Sequence, residues 1–257
     1  MSDILLKAEH IYKSFPTQDG GKTAILEDFS LSLHTGEVVC VLGESGGGKT
    51  TLLKIISGLE SYDAGHIHTD LHVPGKDLGY VAQNDHLLPW RTAEGNAALG
   101  LELYGLSREE ARRTARPFLN IMELQNYGET YPNELSGGMC QRVALARMLT
   151  TAPRMIVLDE ATNSLDVFAK RKVGRWLRAY VREKQICLVL VTHAIDEACA
   201  IADRILIMTK KPARVFREIL ITDEEPPLDP LSIHRDQALQ NAFNIFNDAI
   251  KDEARKP

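Results

Sequence analysis

The chain has 257 residues, 44% hydrophobic and 25% charged, with 30 lysines and arginines against 35 acids for a net charge of −5. Such proportions describe an ordinary globular protein of one large domain or two small ones, and exclude wholesale disorder, collagen and extended coiled coil. The acidic balance gives no overall attraction to nucleic acid, so no nucleic-acid partner is expected.

Residues 1–10 carry acids and only a brief apolar stretch, unlike a signal peptide, and no run reaches the roughly 18 apolar residues that cross a bilayer. A cytoplasmic chain is therefore expected. The first buried strand is expected at Val38-Val39-Cys40-Val41-Leu42. Unbroken apolarity, in place of alternation, implies a strand covered on both faces, as in parallel α/β sheets. It leads into Gly43-Glu44-Ser45-Gly46-Gly47-Gly48-Lys49-Thr50, a match to G-x-x-x-x-G-K-[ST], and then a helix expected over 50–57 and closed by Gly58. In that context the glycines let backbone N–H groups close around β- and γ-phosphates, and the helix N-terminus adds a favourable dipole. Lys49 brings a point charge and Thr50 a hydroxyl for magnesium.

His66 and His68 would share a strand face, with His72 nearby, but no fourth ligand is evident and no metal site is expected from them. Residues 84–150 lack a comparable strand run and read as a mostly helical insertion, with a capping box at Ser107 and Glu110. Met155-Ile156-Val157-Leu158-Asp159-Glu160 is an apolar strand ending in two carboxylates. Behind a phosphate loop, Asp159 is suited to hold magnesium through its water shell and Glu160 to polarise an attacking water.

The basic cluster Lys170-Arg171-Lys172 with Arg175 and Arg178 reads as a solvated helix face. Further buried strands are expected at Leu188-Val189-Leu190-Val191 and Ile205-Leu206-Ile207-Met208, giving a doubly wound α/β pattern. The four cysteines lie far apart, which fits neither a zinc ribbon nor a disulfide framework, and Cys40 and Cys187 read as buried filler in strands. After Ile221 the character changes: Pro226, Pro227 and Pro230 cluster, and 236–251 has helical spacing in Leu239, Phe243, Ile245, Phe246 and Ile250.

Leu135-Ser136-Gly137-Gly138-Met139, followed by Gln141-Arg142-Val143-Ala144-Leu145-Ala146-Arg147, closely resembles the signature motif and helix of ABC-type ATPases. The resemblance runs from about residue 6 to 208. It implies a P-loop NTPase (RecA-like) α/β core with a parallel sheet, an N-terminal antiparallel β subdomain and a helical subdomain. The ATPase domain would take residues 1–220, with the helical subdomain at about 84–150 and a C-terminal helical extension at 221–257. Gln83 resembles the Q-loop glutamine, Ser164-Leu165-Asp166 the D-loop, and His193 the switch histidine. Phe15 occupies the place of the adenine-stacking aromatic, with Tyr12 as a substitute because residues 18–22 are inserted.

The resemblance also implies ATP and Mg2+ as cofactors. Nucleotide would be bound by residues 43–50, Thr51 and Asp166 and, from a partner subunit, by Ser136, Gly137 and Gly138. Thr50, Gln83 and Asp159 would attend magnesium, and Glu160, His193 and Gln83 would serve hydrolysis. The expected partners are a second nucleotide-binding subunit, a homodimer being the simplest case, multi-pass permease subunits and, indirectly, a solute-binding protein, at the cytoplasmic face of the membrane. Gln83-Asn84-Asp85-His86-Leu87-Leu88-Pro89-Trp90, Glu94, Asn96 and Met139 are similar to ATPase subunits of nitrate, sulfonate and taurine importers. Asp159-Glu160-Ala161-Thr162-Asn163-Ser164 departs from the Glu-Pro-Phe-Ser sequence usual in that group. Trp90 either lines the groove that receives a permease helix or packs inside the helical subdomain. An exporter or lipid-transporter ATPase and a soluble ABC ATPase are the alternatives; the latter usually needs a coiled-coil insertion or a second cassette.

Overall fold

The computed structural model describes residues 3–71 and 76–221, together with Asn244. The chain divides into two compact units, Met1–Leu71 with Gly174–Pro257, and His72–Val173. The helix expected over 236–251 lies, Asn244 apart, outside the described residues, as does His72.

The first unit opens with a long hairpin, β1 (Ile4–Pro16) and β2 (Lys22–His34). Its turn has Gly20 at φ 83°, a left-handed conformation that glycine adopts without penalty. Next come β3 (Val38–Leu42), α1 (Lys49–Ile56) and β4 (Ala64–Thr69). β1 pairs antiparallel with β2 on one side and β4 on the other. Leu6, Ala8 and Ile11 of β1 and Phe29, Leu31 and Leu33 of β2 are among the buried positions of this small sheet. Its register slips where His10 and Asp28 both take positive φ, and there the imidazole Nδ1 lies 2.6 Å from the carboxylate.

The second unit contains the parallel pair β5 (Leu78–Val81) and β6 (Met155–Asp159). Between them run α2 (Ala93–Ala97), α3 (Leu99–Leu103), α4 (Arg108–Ile121) and α5 (Gly137–Leu149), the helical stretch expected from the sequence. The capping box of α4 is formed: Ser107 Oγ accepts from the Glu110 N–H, and the Glu110 carboxylate accepts from the Ser107 N–H at 3.2 Å. Ala111, Ala115 and Leu119, four residues apart, form its buried stripe. α6 (Val167–Lys184) contains the boundary between the units.

The chain then continues in the first unit with β7 (Cys187–Val191), α7 (Ile195–Ile201), β8 (Arg204–Met208) and β9 (Val215–Leu220). β3 lies between β7 and β8 with parallel pairing to both, and β9 closes that side antiparallel. Every residue of β3 and β7 is buried, which is why their sequences are apolar without alternation. Cys40 and Cys187 are fillers in those strands, and burial raises both thiols above the ordinary range.

The basic cluster on α6 is corrected at one position. Arg178 is not on a solvated face: its guanidinium lies 2.9 Å from the Asp203 carboxylate with its side chain 11% exposed. Asp203 also accepts from the Val38 N–H, so the pair anchors the start of β3. No described helix is long and apolar enough to cross a membrane.

Candidate functional site

The expected site residues divide between the units: Phe15, residues 43–51 and His193 belong to the first, and Gln83, Ser136, Gly137, Gly138, Asp159, Glu160 and Asp166 to the second.

In the first unit, β3 ends at Leu42 and α1 begins at Lys49, so residues 43–48 make the whole connection. Gly46 and Gly48 take φ values of 76° and 95°. A Cβ on Gly48 would meet Ile25 Cγ2 at 2.9 Å, so a larger residue there is both strained and crowded. The N-cap of α1 is Gly48, which has no side chain to cap the first-turn N–H groups and so leaves that end suited to an anion. Lys49, only 4% exposed, donates to the Gly43 and Glu44 carbonyl oxygens at 2.9 and 2.7 Å. Its ammonium is thus buried at the loop and held by the loop's own carbonyls. Glu44 in turn pairs with Lys210 at 3.0 Å, an ion pair that no motif announces. Thr50 is exposed at the mouth of the loop and Thr51 follows it in the helix.

Phe15 is 36% exposed near the end of β1, opposite Thr23 of β2, with the Lys13 ammonium 4.7 Å from its ring centroid. Ile25, against which Gly48 lies, is two residues from Thr23, which places Phe15 on the same hairpin that backs the phosphate loop. Tyr12 is also exposed but pairs toward β4, opposite Ala64. His193 is exposed just past β7; beside it Thr192 donates to the Glu197 carboxylate at 2.6 Å and accepts from the Ala194 N–H.

In the second unit, Asp159 is 4% exposed at the end of β6 and accepts from the Tyr80 hydroxyl at 3.1 Å. Glu160 follows with φ 54°, a left-handed conformation that costs a non-glycine residue about 1–3 kcal/mol. A turn carries that strain: the Asn163 N–H donates to the Glu160 carbonyl at 3.1 Å, and the Asn163 side-chain amide donates to the Glu160 carboxylate at 3.0 Å. Asp166 accepts from the N–H groups of Phe168 and Ala169 and so caps α6. Those backbone bonds, the one from Ala169 first, hold its carboxyl below the usual range.

Ser136 caps α5, accepting from the Met139 N–H, with Gly137 and Gly138 in the first turn. Buried Gln141 accepts from the Ser164 N–H at 3.1 Å, and a Cβ on Gly138 would lie 3.0 Å from the Ser164 carbonyl oxygen. The start of α5 and the turn before Asp166 are therefore fitted against each other.

Gln83 is exposed beyond β5, at the head of an irregular segment. That segment is fixed from two sides. Asn96, fully buried, accepts from the Leu88 N–H and donates to the carbonyls of Leu88, Arg91 and Thr92. Arg147 reaches from α5 to the carbonyls of Asp85 and His86. The anchored segment presents Trp90 at 71% exposure, with Leu103 at 78%, so the tryptophan is not packed inside the helical stretch.

Tyr80, Asn163, Gln141, Arg147 and Lys210 are contacts that sequence reasoning assigned no role. Only Asn163 had a local signal, its spacing of three from Glu160 being that of a turn.

Residues 26–163 match the ABC transporter family. The chain is 38% identical to the nitrate import ATP-binding protein NrtD of Synechocystis sp., across 80% of each chain. It is 41% identical to the taurine import ATP-binding protein TauB of Pseudomonas aeruginosa, across 83% of this chain and 82% of that one. A dimeric ATP-binding cassette solved in a post-hydrolysis state with ADP and Pi superposes with a TM-score of 0.78 at 31% identity, covering 85% of this chain and 100% of the other.

Proposed function

The chain belongs to the ABC transporter family, an ATP-hydrolysing family, and from that membership we propose that it powers a membrane importer of a small solute such as nitrate, taurine or an aliphatic sulfonate. The observation that carries the reading is the phosphate loop: glycines in left-handed conformations, an α1 N-terminus without a side-chain cap, and a buried lysine held on two loop carbonyls. An incoming triphosphate exchanges those carbonyls for phosphate oxygens, which bind a lysine far more strongly.

In this reading Phe15 stacks on the adenine, residues 43–51 hold the phosphates, and Glu160 takes the proton of the attacking water with His193 and Gln83 orienting it. Thr50, Gln83 and Asp159 offer hard oxygen donors, the type that magnesium takes. Magnesium when bound neutralises charge on the β- and γ-oxygens. Ser136, Gly137, Gly138 and Asp166 face the nucleotide of a second copy, where a helix N-terminus and a hydroxyl favour the γ-phosphate, so ATP closes the pair and its hydrolysis releases it. The segment from Gln83 to Trp90 receives the permease, and the subunit is peripheral at the cytoplasmic face of the membrane. The exposed Trp90 on a rigidly anchored segment supports that surface as a docking site.

Purification of the tagged chain from solubilised native membranes tests the reading. A multi-pass permease, with a soluble solute-binding protein recruited to it, is the expected companion, and the importer's substrate is then read from that binding protein. A chain that stays with ribosomes or purifies with no membrane protein removes the transport role.

A further inference from the structure

The Asp159 carboxylate is held by a side chain that the phosphate-site motifs do not include. β5 and β6 run parallel with Tyr80 opposite Val157. Val157 and Asp159, two residues apart on β6, point to the same side of the ladder, so the phenol beside Val157 reaches forward to the carboxylate at the strand end. Its oxygen lies 3.1 Å from Asp159 Oδ2. A carboxylate with only 4% of its surface exposed needs such donors, because an ionised group out of water without hydrogen bonds is costly. Facing a carboxylate, the phenol O–H is the donor of this bond.

We propose that Tyr80 is a positioning residue for the metal: its hydroxyl fixes the orientation in which Asp159 meets the magnesium water shell. The proposal rests on the assignment of Asp159 to magnesium and adds a residue to it. An aspartate at a strand end has two side-chain torsions to order, and a metal held through water tolerates little misdirection of its acceptors. A donor on the neighbouring strand removes that freedom before the metal arrives. A phenylalanine at the same position fills the same space and supplies no proton.

The test compares Tyr80→Phe and Asp159→Asn, each in the full-length chain carrying Glu160→Gln to stop turnover. Mn2+ binding to the ATP-loaded protein is read by electron paramagnetic resonance, and ATP affinity is measured separately with the metal chelated. Tyr80→Phe is expected to raise the half-saturating Mn2+ concentration about threefold to tenfold, the size of one hydrogen bond, with metal-free ATP affinity unchanged. Asp159→Asn is expected to raise it further. Unchanged Mn2+ affinity in Tyr80→Phe alone overturns the role of Tyr80, whereas unchanged affinity in both variants overturns the assignment of Asp159 and the proposal with it. An equal loss of metal-free ATP affinity in Tyr80→Phe makes the tyrosine a packing residue and also overturns the proposal.

Discussion

The side-chain amide of Asn163 donates to the carboxylate of Glu160 across 3.0 Å, within a turn whose backbone already joins the same two residues. Glu160 pays for its position with a left-handed φ of 54°, so its side chain is aimed by the turn and steadied by the amide. Asn163→Ala removes the second restraint and keeps the first. Steady-state ATPase assays are expected to show kcat lower by about threefold to tenfold with KM unchanged, the signature of a loss that acts on the chemical step.

The roles proposed for Lys49 and Glu160 separate binding from chemistry. Lys49→Ala deletes a charged donor to phosphate and is expected to weaken ATP affinity by about tenfold to a hundredfold in a fluorescent-nucleotide titration. Glu160→Gln keeps the shape and the proposed γ-phosphate ligands and loses the proposed base. ATP affinity should survive, hydrolysis should fall by about a hundredfold or more, and gel filtration with ATP should show an accumulated dimer.

The parts of this molecule legible in its sequence are those whose cause is local. β3 and β7 are apolar throughout, and β6 up to Asp159, because both faces are covered, and the phosphate loop announces itself because its glycines, lysine and threonine act within eight residues. β1 and β2 were harder: bulges at His10 and Asp28 break the two-residue period, and Lys13, a residue that reads as exposed, is buried against Glu60. The supports of the site are harder still. Arg147 holds carbonyls 61 and 62 residues earlier, and Tyr80 reaches Asp159 across 79 residues, distances over which spacing carries no signal. Arg178 is hidden for the same reason, since its partner Asp203 lies 25 residues later.

The segment before α2 depends on Asn96. Its side chain makes four hydrogen bonds with backbone groups of Leu88, Arg91 and Thr92 while fully buried. Asn96→Ala removes all four bonds, although the Leu88 and Thr92 carbonyls keep the backbone donors of Arg91 and residue 96, and is expected to cost about 2–3 kcal/mol in urea unfolding. Trp90→Ala removes mostly exposed surface. Stability should move by no more than about 0.5 kcal/mol, while recovery of the permease with the tagged chain should fall sharply.

Asp166 gives the pH prediction. Its folded-state pKa lies below the unfolded value because the N–H groups of Ala169 and Phe168 bond the ionised form. A carboxyl with a depressed folded pKa stabilises the fold above its unfolded pKa, about 3.9, and loses that contribution as pH falls through the lower folded value. Asp166→Asn retains a capping acceptor that does not titrate. Chemical unfolding from pH 7 down to pH 3 should therefore show the wild-type chain losing more stability than the variant at the acid end, and parallel curves would remove the cap from the explanation.

Gly138 tests whether the start of α5 and the turn before Asp166 act as one piece. An alanine Cβ there would stand 3.0 Å from the Ser164 carbonyl oxygen, closer than ordinary van der Waals contact, and the neighbour that must give way is backbone. The Gln141 acceptor pins the N–H of that same Ser164, so the turn cannot yield without losing a part-buried bond. Gly138→Ala is therefore expected to cost about 1–3 kcal/mol of stability. Its second effect distinguishes geometry from mere destabilisation. Displacement of the turn moves Asp166 and the Ser136 end of α5 together, and both are assigned to the face that meets the second copy. ATP-dependent dimerisation in a Glu160→Gln background should consequently be lost at temperatures where the variant remains folded, while nucleotide binding to the monomer, which rests on residues 43–50, should persist. A variant that dimerises normally while folded would separate these two segments and place the dimer contact on only one of them.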